Sequence, residues 1–160
     1  MLRRAGLDMD KHRDEGIKRQ DFTQLFRHSS LVFNDKITWI AFNARFDYGY
    51  LLHLIDGMPL PLTETLFIEK CVSYLRGFYD VKMLRDDRSP LHKQLELEGI
   101  SQPIYAHQAG SDCLSTLALF FKTVENLIKA DRKRDIVKNS ITCLSDYDMI
   151  TGTRTFYGQR

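Results

Sequence analysis

Two acids and an imidazole are the residues of this sequence best suited to chemistry: Asp47, His107 and Asp112. Asp47 closes Asn43-Ala-Arg-Phe-Asp47, directly after the apolar run from Ile37 to Phe42. It therefore stands where a buried strand gives way to a helix, in the crevice where α/β sheets bind their ligands. Asp112 ends His107-Gln-Ala-Gly-Ser-Asp112 and opens a second helix, with His107 five positions earlier across Ala109-Gly110. That dipeptide is flexible enough to bring a loop imidazole to a helix-start carboxylate. Two carboxylates and a histidine in such places suit metal-dependent phosphodiester hydrolysis. Two magnesium ions ~4 Å apart activate a water and stabilise the leaving oxygen, and a histidine orients or deprotonates that water. The structural alternatives are simpler: Asp47 as a helix N-cap, Ser111 or Asp112 as another, and His107 as a surface loop residue.

These residues need elements to hold them. From Cys113 to about Lys129, residues Leu114, Leu117, Ala118, Phe121, Val124 and Ile128 recur at steps of three and four. The spacing predicts a core helix with those six on its packing stripe. Asp112 falls off that stripe, with Ser115, Thr116 and Leu119, and so faces a cleft or solvent. Ile37-Thr-Trp-Ile-Ala-Phe42 is apolar nearly throughout, as expected of a strand covered on both faces. A helix follows with Tyr48, Leu51, Leu52 and Ile55 at helical spacing, ending at the break Gly57-Met-Pro-Leu-Pro61. A further helix begins at about Thr63, with Phe67, Cys71, Tyr74, Leu75 and Phe78 inward. Tyr79 to Leu84 reads as a short strand, Arg85 to Pro90 as a charged loop and Leu91 to Glu98 as a short helix. Earlier, Asp21 caps a short helix carrying Phe22, Leu25 and Phe26, and Asn34-Asp35 marks a turn. The alternation of strands and helices implies α/β with a mixed or parallel sheet. Residues 1–130 carry these elements, and 131–160 are a polar C-terminal extension.

Composition sets limits. The 160 residues suffice for one domain with a core, and 43% hydrophobic with 28% charged is ordinary for a globular protein. A net charge of +2 permits a nucleic-acid partner without arguing for one, because Arg132-Lys133-Arg134 is the longest basic run and reads as a solvated helix face. Cys71, Cys113 and Cys143 are unclustered and odd in number, which fits free buried thiols in a reducing compartment. No stretch approaches the ~18 apolar residues of a membrane span, and the opening resembles no signal or transit peptide, so the expected location is nucleus and cytoplasm.

Two tempting signals are set aside. Asp8-Met-Asp10 has the spacing of a metal-binding pair, but its flank Lys11-His-Arg-Asp-Glu-Gly16 belongs to a solvated helix start and not to a buried strand. A Cys113/His107 thiol hydrolase is the weaker reading of that pair, since a cysteine one step inside an apolar helix is ordinarily a buried small hydrophobe. Phe46 and Tyr48, flanking Asp47, could wall a nucleotide pocket, although core packing is the commoner role.

Phe42-Asn-Ala-Arg-Phe-Asp-Tyr-Gly-Tyr-Leu-Leu52, Tyr79-Asp-Val-Lys-Met-Leu84, and Leu95-Glu-Leu-Glu98 leading to His107-Gln-Ala-Gly-Ser-Asp112 together resemble the deadenylase subunit of the CCR-NOT complex. Gly6-Leu-Asp8 and His12-Arg-Asp-Glu-Gly-Ile17 extend the likeness, which runs in consistent order from Ala5 to Lys122. The resemblance implies an RNase H-like fold of the DEDD exonuclease type, a mixed sheet with flanking helices whose N-terminal strands are missing from this chain. It implies 3'-to-5' removal of poly(A) from mRNA with Mg2+ or Mn2+, and CCR-NOT scaffold subunits as partners. By position Asp47 and Asp112 match metal ligands, and His107 matches the histidine that positions or deprotonates the attacking water. They lie 65 positions apart (112 minus 47), as the second and third motifs of such proteins do. The family's first motif, Asp-x-Glu on a buried strand, has no counterpart here, because Asp8 aligns with a non-catalytic position. Two of four acidic ligands are then absent, and weak metal binding and poor turnover are expected of this chain alone. A strand without its neighbours also exposes an edge that another chain could pair. The alternative is a catalytically inactive, scaffold or RNA-binding subunit of an mRNA-decay complex.

Overall fold

The computed structural model describes residues 6–101 and 108–140. Six α-helices and two strands lie among them: α1 (Met9–Glu15), α2 (Arg19–His28), β1 (Trp39–Ala41), α3 (Arg45–Asp56), α4 (Glu64–Leu75), β2 (Phe78–Asp80), α5 (Leu91–Leu97) and α6 (Ala109–Lys129). The strands pair in parallel, with Trp39 beside Phe78, Ile40 beside Tyr79 and Ala41 beside Asp80. The crossover between them consists of α3 and α4, the connection a parallel pair requires.

This small sheet separates two cores, as the apolar run of β1 predicts. Alternate residues of a strand face opposite ways. Trp39 and Ala41 pack on a cluster built by Tyr48, Leu52 and Ile55 of α3 with Phe67, Cys71 and Leu75 of α4. Ile40 and Phe42 pack on the other cluster, Val81, Leu84, Leu95, Leu119, Phe120 and Leu127. Burial of each such large side chain contributes about 1.5–3 kcal/mol, so both layers hold the strands in place. At the far end of α3, Gly57 takes a left-handed φ of 70° as the C-cap. Asp56 there meets Lys70 Nζ at 2.6 Å and accepts from the Tyr74 hydroxyl at 3.3 Å, fastening α3 to α4.

Several expectations hold in detail. Asp8 caps α1, accepting from the amides of Asp10 and Lys11, so the Asp-x-Asp pair is a solvated helix start. Thr63 caps α4 through Leu66 N–H, and Phe67, Cys71 and Leu75 are buried. Asn34 makes the expected turn, its carbonyl accepting from Ile37 N–H at 3.1 Å.

Others change. The strand expected over residues 79–84 spans Phe78–Asp80 and then becomes a 3-10 turn, Val81–Leu84. The Asp80 carboxylate takes Lys82 N–H at 3.1 Å and so bends the chain out of the ladder. Asp21 lies inside α2, whose N-cap is Lys18, and Phe22 and Leu25 are exposed. Cys113 is exposed and not a buried hydrophobe, while Cys71 is buried and its thiol is pushed up to about 12 by desolvation. Cys143 lies outside the described residues.

The largest change concerns α6. It begins at Ala109, so Ala109 and Gly110 are helical and not a flexible link. Its packing face is Ser115, Thr116, Leu119, Phe120, Thr123 and Leu127, turned toward β1, the 3-10 turn and α5. Leu114, Leu117, Phe121 and Ile128 of the expected stripe are exposed. The two sets lie on opposite sides of the helix, and both satisfy a helical period. Tertiary partners choose between them: Thr123 is admitted to the interior because its hydroxyl accepts from Arg85 Nη1 at 2.9 Å. Among the described residues no helix is long and apolar enough to cross a membrane.

Candidate active site

The carboxyl ends of two parallel strands form one rim, and the chain places acids on it. From Ala41 the backbone passes through Phe42 and Asn43, which holds a left-handed φ of 59°, to Ala44, the N-cap of α3. Asparagine tolerates that region better than most residues. Ala44 has no side chain able to cap a helix, and the cap is supplied by the neighbouring strand. Asp80, at the end of β2 and wholly buried, accepts from Asn43 N–H at 2.8 Å through Oδ1 and from Ala44 N–H at 3.1 Å through Oδ2. The carboxylate charge is further stabilised by the positive end of the helix it caps.

Asp47 follows in the first turn of α3. It is not the N-cap, a role that belongs to Ala44, and its carboxylate accepts from its own backbone N–H in that first turn. It is exposed and borders a surface groove of about 510 Å³ with Arg19, Tyr50, Leu51, His53 and Leu54. Partial desolvation pushes its carboxyl above the usual carboxylate range; its own backbone N–H opposes this, and the Asp80 charge adds to the rise. A carboxylate held up by a second negative charge gains when a cation arrives.

Asp112 stands in the first turn of α6, half-buried, and the N-cap there is Gln108 without a side-chain bond. It shares the side of Ser115, Thr116 and Leu119 as expected, but that side faces the protein and not solvent. His107 lies outside the described residues. Tyr48 belongs to the first core, its ring 5.1 Å from Phe78 edge-on and its hydroxyl donating to Tyr79 O at 3.4 Å. Phe46 is half-buried, with the Arg45 guanidinium 4.7 Å above its ring. Tyr48 thus takes the commoner role, core packing.

The structure thus brings Asp47 and Asp80 to one strand-end rim and sets Asp112 on a helix packed against β1. Among the described residues, no three His, Cys, Asp or Glu side chains are gathered to hold a metal ion. Hard carboxylate oxygens are the right donors for Mg2+ or Mn2+, yet they are too few for a closed cage. Asp80 is not singled out by the sequence: it carries the same signal as Asp47, an acid at the end of an apolar strand, but Tyr79 to Leu84 reads as one strand and hides that end.

No family model matches the chain. It is 37% identical over 130 residues to the probable CCR4-associated factor 1 homolog 7 of Arabidopsis thaliana, covering 79% of this chain and 47% of that protein. To the poly(A) ribonuclease pop2 of Schizosaccharomyces pombe it is 34% identical over 128 residues, 76% of this chain and 38% of the other. The structure of S. pombe Pop2p in its Mg2+- and Mn2+-bound form superposes with a TM-score of 0.78 at 29% identity, over 88% of this chain and 57% of that one. The RNase domain of the yeast Pop2 protein gives 0.70 at 25% identity, over 79% and 51%. This chain spans about half the length of the relatives it matches.

Proposed function

We propose that this chain, a member of the CCR4-associated factor and Pop2 ribonuclease family, is the downstream part of a poly(A)-specific 3'-to-5' exoribonuclease domain. The observation that carries this reading is the position of Asp47: an exposed acid in the first turn of α3, at the strand-end rim of a parallel pair, beside a second carboxylate. Asp47 and Asp112 bind the divalent cations, and His107 orients the attacking water or takes its proton. Bound Mg2+ or Mn2+ supplies the activation of that water and the stabilisation of the leaving oxygen. The residues present fit such a site in kind and fall short in number, so catalysis needs acids beyond those this chain contributes. Those acids come from a segment that pairs the edge of β1 left open among the described strands. The substrate is poly(A) RNA, the scaffold partners are those of the CCR-NOT complex, and the compartments are nucleus and cytoplasm.

Mn2+ titration followed by paramagnetic broadening tests this. Broadening is expected at the amides around Asp47 and Asp112, and Asp112→Asn is expected to abolish it. Unchanged affinity in that variant counts against the assignment. The 160-residue chain alone is expected to leave oligo(A) intact, and activity that survives purification to homogeneity would show that other groups do the chemistry.

A second reading, a non-catalytic scaffold or RNA-binding subunit, is favoured by one observation: among the described residues no three-ligand metal cluster exists. It predicts no Mn2+ broadening at Asp47 together with retained binding to poly(A) or to scaffold subunits.

A further inference from the structure

Asp80 does more than end a strand. Its bond to Lys82 N–H is local and would form in any isolated turn of this kind. The bonds to Asn43 and Ala44 span 37 and 36 positions and tie the carboxyl end of β2 to the start of the helix that follows β1. A fully buried carboxylate is tolerated only where donors replace its water, and here those donors are the amides at the foot of α3. Ala44 cannot cap α3 itself, and Asn43 sits at a φ of 59°, a region that asparagine reaches more readily than most residues and that the two bonds to Asp80 hold in place. Asp47 follows Ala44 by three residues, so the line along which its carboxylate leaves the helix depends on how that turn is held.

We infer that Asp80 is a positioning residue for Asp47: by clamping the Asn43–Ala44 turn it fixes the first turn of α3 and aims the Asp47 carboxylate at a divalent cation. The inference rests on the reading of Asp47 as a metal ligand and assigns a residue outside the ligand set to the same site. The clamp is electrostatic as well as geometric. Asparagine in place of Asp80 keeps the shape but turns one acceptor into a donor, which then faces an N–H of the turn.

The test uses the full chain and Mn2+ alone as probe, with Asp80→Asn compared against wild type by amide spectra, exchange rates and Mn2+ affinity. Expected are faster exchange at Asn43 and Ala44, an unchanged spectrum in α4 and α6, and Mn2+ affinity lower by about tenfold or more, the usual consequence of losing a group that orients a ligand. Equal Mn2+ affinity in wild type and variant overturns the positioning role and leaves the metal site standing. Absence of Mn2+ broadening at Asp47 in wild type overturns the metal reading, and this inference with it. Asp80→Glu serves where Asp80→Asn does not fold. It keeps the charge, but the longer side chain displaces the oxygens that the Asn43 and Ala44 amides reach. Mn2+ affinity is again expected to fall about tenfold, and equal affinity overturns the role of Asp80. Asn43→Gly is the control: it leaves Asp80 and both amides in place and is expected to bind Mn2+ as wild type does. A loss of about tenfold there would put the aim of Asp47 in the Asn43 side chain and overturn the role of Asp80.

Discussion

The two sides of α6 invert the usual arrangement. The side against β1 and α5 carries Ser115, Thr116 and Thr123 among its buried residues, whereas the opposite side presents Leu114, Leu117, Phe121 and Ile128 to solvent. On the inner side, Leu119, Phe120 and Leu127 supply the apolar contact, and the polar residues between them are small. Arg85 reaches in to meet Thr123 and also donates from Nη2 to Glu98 Oε1 at 2.8 Å, while Asn126 Nδ2 donates to the other oxygen of Glu98 at 3.1 Å. A helix that is apolar on both sides is built to lie between two layers, and only one of those layers is present among the described residues. A strong stripe of apolar side chains marks a surface meant for contact without saying which contact forms.

The contrast is open to test from the inside first. Leu119 is wholly buried in the second core, and Leu119→Ala is expected to cost about 2–5 kcal/mol in chemical denaturation, the range for a fully enclosed leucine. A loss under about 1 kcal/mol would mean that the inner side is not the packing side. Next in size is Thr123→Val, which keeps the volume and removes the acceptor of Arg85 Nη1. The expected cost is about 1–3 kcal/mol, that of an unpaired buried donor. Because the loss belongs to the pair, Arg85→Met combined with Thr123→Val is expected to cost less than the two single changes added together. Simple additivity would show that the threonine is inward for reasons other than that bond.

How far the sequence reaches can be judged from the same elements. The run from Ile37 to Phe42 announces a strand with both faces covered, and β1 does divide two cores, because an unbroken apolar run has no polar side to expose. The foot of α3 is legible too: Asp47 ends up on the strand-end rim since a strand followed at once by helical spacing leaves the chain no other place to turn. What is not legible depends on partners distant in sequence. Nothing near Ala44 tells that its cap arrives from Asp80, 36 positions away, nor does anything near Thr123 tell that Arg85 will meet it. The choice of side on α6 fails for the same reason, since periodicity gives the spacing of a stripe and leaves its occupant open.

The smallest effect is the most discriminating. Leu117 and Phe121 are 40% and 61% exposed, so Leu117→Gln with Phe121→Gln removes apolar surface from water and not from a core. Stability is expected to stay within about 0.5 kcal/mol of wild type, as for other surface changes. A loss of about 2 kcal/mol or more would mean that these side chains are enclosed in solution, either by a second copy of the chain or by residues outside the described set. Dilution separates those two, because a loss that shrinks with falling protein concentration belongs to an intermolecular contact, and one that persists belongs to the chain itself. Either result would end the contrast between an occupied and an exposed side, and α6 would then be a helix packed on both faces.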